Sequence, residues 1–194
     1  MLNKAMLSPH AYLNRMARLS GAKAHGSKYL SYQMLEIQRP SDPRRFFAGL
    51  VEDGFQIIHL KRNTFEQSLS LSLAQATGRY HRKPGAPALE RPTEVRLEPE
   101  AFVRQYSWNA AMLDYEQCLL AGLPHLSVIY ETDLQNAGAH SATVAGICSA
   151  IGVPSGAVKA DMRRIGGPKG VTRATNLDEL RDAVRALLPL QMAS

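Results

Sequence analysis

Cysteine is almost missing from this chain. Only Cys118 and Cys148 occur in 194 residues, and no C-x-x-C pair exists, which argues against a cysteine-built zinc or redox site. Both lie in apolar helical patterns, EQCLLAG and AGICSAIG, and read as buried free thiols of a protein in the reducing cytoplasm. Long hydrophobic runs are missing too, so no segment predicts a membrane-crossing helix. The N-terminus lacks the apolar core of a secretory signal, and no internal repeat occurs. Aromatic residues, 7% of the chain, are scattered and build no stacking platform, which weighs against a nucleic-acid-binding module.

What is present is ordinary in amount. Hydrophobic residues make up 45% and charged residues 21%, as in a globular protein. The length predicts a single domain over 1–194 with a sizeable core. The net charge of +6 suits an anionic ligand, a nucleic acid or an acidic surface without choosing among them.

Punctuation along the chain predicts alternating helices and strands. SPHAYLNRMARLSG reads as a helix with Ser8 as cap, Pro9 at its first position and Gly21 at its end. AKAHGSKYLSY alternates loosely and predicts a short strand. SDPRRFFAGLVEDG predicts a helix capped by Ser41 and closed by Gly54. FQIIHLK is a short β-branched run, hence a buried strand. In NTFEQSLSLSLAQATG, Thr64 and Gln67 have capping-box spacing, and Phe65, Leu69, Leu73 and Ala76 share a face. Residues 78–98 are rich in Pro, Gly and Arg and predict a long loop, of a length that is usually functional or mobile. PEAFVRQYSWNAAMLDYEQCLLAG predicts a long helix ending at Gly122, and LSVIYETDL a second buried strand. SATVAGICSAIG predicts a helix stopped by Gly152 and Pro154. NLDELRDAVRALL predicts another, with Asn176 as cap and Asp178 and Glu179 in its first turn. The alternation implies an α/β fold with a mostly parallel sheet.

The unit FQIIHLKRNTFEQSLSLSLA carries the chemistry. A buried strand ends in Lys61-Arg62 and a capped helix starts at once. Backbone N–H groups and the helix dipole attract anions there, and Arg62 adds a planar, bidentate phosphate donor. Arg62, Asn63 and Ser70 resemble the 3′-phosphate-binding segment of sulfotransferases. ATGRYH, VIYETDL, AIGVP and NLDEL are similar to later segments of that family, so the resemblance runs from about Gly21 to the C-terminus. It implies a P-loop-kinase-like fold and transfer of a sulfonyl group from 3′-phosphoadenosine 5′-phosphosulfate (PAPS), leaving adenosine 3′,5′-bisphosphate (PAP). It further implies cofactor binding by Arg62 and Ser70, a carbohydrate or glycolipid acceptor, and an acceptor-side loop at 78–98. The plainer alternatives are a solvated strand-end charge for Arg62 and a tolerated polar residue for Ser70.

GAKAHGSK, Gly21 to Lys28, approximates a phosphate-binding P-loop but has Ser27 and Lys28 in the wrong order. It also follows a helix where a P-loop must follow a strand. By resemblance, HGSKYLSYQ matches the second core strand of sulfotransferases, and Lys28 would stabilise charge on the transferring group. A surface lysine is the plainer reading. The family's 5′-phosphosulfate loop has no counterpart before Gly21. The resemblance thus implies an N-terminally truncated version: a fragment, a chain with a misassigned start, or a protein that has lost the loop.

No general base is assigned. The family's strand histidine would fall at Leu30, and His25 and His81 are the nearest substitutes. His59, inside a strand, reads as a hydrogen-bonded core residue. Glu131 and Asp133 would share a strand face, with a structural role by family comparison. Arg163, Arg164 and Lys169 among Gly166, Gly167 and Gly170 are similar to a basic cofactor loop or form a solvated turn. No metal-ligand cluster is evident. The competing readings are a non-catalytic homologue that binds PAP or a partner protein, and a basic nucleic-acid-binding module.

Overall fold

The computed structural model describes residues 9–80, 94–158 and 173–187. His81, most of the predicted acceptor-side loop, and the stretch from Arg163 to Gly170 lie outside the described residues. In chain order the elements are α1 (Pro9–Leu19), a π-helix π1 (Gln33–Gln38), α2 (Pro43–Glu52), β1 (Ile57–Lys61), α3 (Thr64–Thr77), β2 (Glu94–Val95) and α4 (Pro99–Leu120). Then follow β3 (His125–Ile129), a second π-helix π2 (Tyr130–Leu134), α5 (Ala137–Ala150), β4 (Arg173–Ala174) and α6 (Leu177–Arg185). The α/β class with parallel pairing is as expected. Strand β1 pairs in parallel with β3, Ile57 against His125 through Lys61 against Ile129, and β2 pairs in parallel with β4.

The chain divides into two compact units, Met1–Lys61 with Met112–Val158, and Arg62–Ala111 with Lys159–Ser194. In the first, Leu13, Met34, Leu50, Leu120 and Val128 are buried, and Tyr29, Phe46 and Phe47 pack ring to ring. Arg44 of α2 donates to the Cys118 and Ala121 carbonyls and so satisfies the C-terminal end of α4. In the second unit, Leu97, Phe102, Leu180 and Val184 form the buried cluster, covered by Phe65, Leu69 and Leu73 of α3. This matches the face predicted for that helix, save Ala76, which is exposed.

Several local expectations change. The strand predicted over 22–32 does not form. Leu30 N–H donates to the Gln33 side chain, and Gln33 N–H to the Leu30 carbonyl. This local turn starts a helical segment at Ser31 and leaves 21–30 irregular. The second predicted strand stops at Ile129 because the Asp133 carboxylate takes the Ile129 N–H and the chain coils into π2. Glu131 and Asp133 therefore share no strand face.

Caps shift by one residue. Asp42, not Ser41, accepts from Arg45 N–H, and Asn63, not Thr64, accepts from Glu66 N–H. Helix α5 starts earlier than predicted, capped by Asn136. Asn176 occupies the N-cap position without a side-chain cap bond. Its carboxamide instead accepts from Leu97 N–H and donates to the Leu97 carbonyl. The cysteines also differ from expectation: Cys118 is exposed and Cys148 only partly buried.

Candidate functional site

The start of α3 combines the features that attract an anion. Strand β1 ends at Lys61, Arg62 follows, and Asn63 caps the helix. Glu66 N–H is held by the Asn63 side chain at 3.0 Å and Gln67 N–H by the Asn63 carbonyl at 2.9 Å. The N–H groups of Thr64 and Phe65 are then the ones without an intrahelical acceptor, at the positive end of the helix dipole. Arg62 is half-buried. Ser70 lies two turns along, with an exposed side chain.

Glu66 stands four residues before Ser70 and is also exposed. The spacing puts the two on neighbouring positions of one helix side, so a carboxylate accompanies the serine hydroxyl. The sequence motif gave no weight to this charge. Lys28 lies in the irregular segment 21–30 and is exposed, so the strand that was to carry it is not there.

The buried serine of α3 is Ser68. It is 0% exposed, donates to the Thr64 carbonyl at 2.7 Å and accepts from Asn109 Nδ2 at 2.8 Å. Asn109 Oδ1 in turn accepts from Gln105 Nε2. A second polar cluster occupies the first unit. His59, 6% exposed, places Nε2 2.9 Å from Glu116 Oε2, confirming it as a bonded core residue. The other Glu116 oxygen accepts from the Ser31 hydroxyl. The His125 ring lies edge-on to His59 at 6.0 Å, and its Nδ1 bonds to the Leu123 carbonyl at 2.8 Å.

In this cluster the carboxylate lies between serine and histidine. An activated serine nucleophile needs the imidazole between serine and carboxylate, so the arrangement is a structural tether rather than a triad. Ser31, Ser68, Asn109 and Glu116 escaped the sequence reading. One signal pointed to two of them. Phe102, Tyr106, Asn109, Leu113, Glu116 and Leu120 recur at alternating spacings of four and three along α4. Asn109 and Glu116 are the polar members of that inward stripe.

Asp133 accepts from Ile129 N–H at 2.7 Å and from the Thr132 hydroxyl at 2.8 Å. These two donors, the backbone one foremost, hold its carboxyl below the usual aspartate range. Thr143 donates to the Asp133 carbonyl, and His140 Nε2 bonds to the Leu134 carbonyl. The turn after β3 is thus fixed from several sides, and Asp133 has structural work there. Among the described residues, no group of three or more His, Cys, Asp or Glu is placed to hold a metal ion. Nor, among the described residues, is any helix long and apolar enough to cross a membrane.

No family model matches the chain, and no curated protein or solved structure is significantly similar to it.

Proposed function

We propose that this chain is a sulfotransferase-type domain of P-loop-kinase-like fold that binds the 3′-phosphate of PAPS or PAP at the start of α3. The observation that carries the reading is the placement of Arg62 between the end of β1 and the Asn63-capped helix, where two N–H groups and the helix dipole favour an anion. Arg62 would supply the paired donors and Ser70 a hydroxyl. These groups fit a phosphate monoester. Bound PAPS would supply the sulfonyl group for transfer to a hydroxyl of a carbohydrate or glycolipid. Lys28 has no part in this proposal.

The experiment is calorimetric titration with PAP beside AMP, which lacks the 3′-phosphate. PAP is expected to bind more tightly than AMP. Arg62→Ala should weaken PAP by about 1.5–3 kcal/mol, the worth of a charge-assisted hydrogen bond. Glu66→Gln should tighten PAP about twofold by removing a like charge beside Ser70. Equal binding of PAP and AMP, or an Arg62→Ala variant that binds as well as the parent, would sink the assignment. A transfer assay with PAPS and candidate glycans then separates an enzyme from a homologue that only binds PAP.

A further inference from the structure

We infer that the outer face of α1, with the segment that follows it, is a docking surface for an anionic membrane. Between residue 9 and Glu36 the chain has four basic residues, Arg15, Arg18, Lys23 and Lys28, and no acidic one. All four are exposed, and among the described residues no carboxylate pairs with Arg15 or Arg18. On α1 the spacings of three and four place Tyr12, Arg15 and Leu19 on one face with Arg18 beside them. Tyr12 is 52% and Leu19 68% exposed. The opposite face is committed to the protein. Leu13 is buried, and His10 and Asn14 both meet Asp53 just after α2.

The composition of the outer face selects the partner. Basic groups alone would serve any polyanion. A leucine held two-thirds in water gains nothing from a phosphate backbone, but it gains from an apolar layer beneath anionic headgroups. Tyrosine beside it suits the same boundary, and a basic helix face carrying Leu and Tyr lies in the plane of a membrane surface. The face is short, so attachment is reversible and salt-sensitive. This inference uses residues remote in sequence from Arg62 and does not depend on the phosphate-site reading.

Flotation of the full chain with phosphatidylcholine vesicles, with and without phosphatidylglycerol, tests it. Capture by the anionic vesicles alone, lost at high salt, is the expected result. The double variant Arg15→Glu/Arg18→Glu should bind at least about tenfold more weakly, and Leu19→Ser about fivefold more weakly. All three positions are exposed, so the variants are expected to unfold at the temperature of the parent. Three outcomes overturn the inference: no capture by anionic vesicles at low salt, capture unchanged in the double variant, or binding of a single-stranded RNA that Leu19→Ser leaves intact while vesicles fail to compete. The last would assign the face to a polynucleotide.

Discussion

Ser68 and Ser70 stand two positions apart on α3 with opposite environments. Ser68 is sealed against Asn109, and Ser70 faces water. The SLSLS alternation of this stretch made the serines look equivalent. Which serine is buried depends on the turn of a helix against α4, and that information is tertiary. The pair predicts a stability effect. Ser68→Ala leaves Asn109 Nδ2 buried without its acceptor and should cost about 1–3 kcal/mol. Replacing both residues, Ser68→Ala with Asn109→Leu, should cost less than the sum of the single changes, because both polar groups then leave together. Urea unfolding of the four proteins measures this. Strictly additive costs would mean that the two side chains do not depend on each other.

At the scale of elements, legibility followed the range of the forces involved. Helices α2, α3, α4 and α6 and strand β1 were visible because apolar spacing and capping residues are local signals. The cap of α3 shifted from Thr64 to Asn63 since both sit three residues before a residue that can complete a capping box, Gln67 or Glu66. The strand expected at Lys28 failed because a glutamine side chain and a carbonyl closed a turn at Leu30. The strand expected to reach Leu134 failed because Asp133 folded back onto Ile129.

That last contact titrates. Its folded-state pKa is depressed, so ionised Asp133 stabilises the fold above the ordinary aspartate value of 3.8. The contribution is lost as pH falls through the lower folded value. Asp133→Asn keeps the shape without the charge. It should unfold at a lower temperature than the parent at neutral pH, with the gap closing in acid. A gap of constant size across that range would show that the charge is irrelevant.

For the whole molecule, the α/β class and parallel pairing were readable from the alternation of elements, while the division into two units was not. The reason is visible in α4. The sequence presents one long helix, yet its first half bonds to Ser68 and its second half to His59, and only the fold assigns those halves to different cores. The candidate site was legible as far as Arg62 and the helix start. The charge beside it, Glu66, was hidden in the same capping pattern that revealed the helix.

The pairing of β2 with β4 has a further consequence, for synthesis. Asn176 reaches back 79 residues to hold the Leu97 backbone, and Leu180 and Val184 complete the cover of Phe102. A ribosome therefore finishes α4 well before the groups that bury it emerge. Nascent chains stalled before residue 173 should expose Phe102 and Leu97 and be held by chaperones or cut by protease within that unit. Chains released at full length should resist both. Limited proteolysis of stalled chains would show the contrast, and equal resistance at both lengths would mean that α6 is dispensable for closing the core.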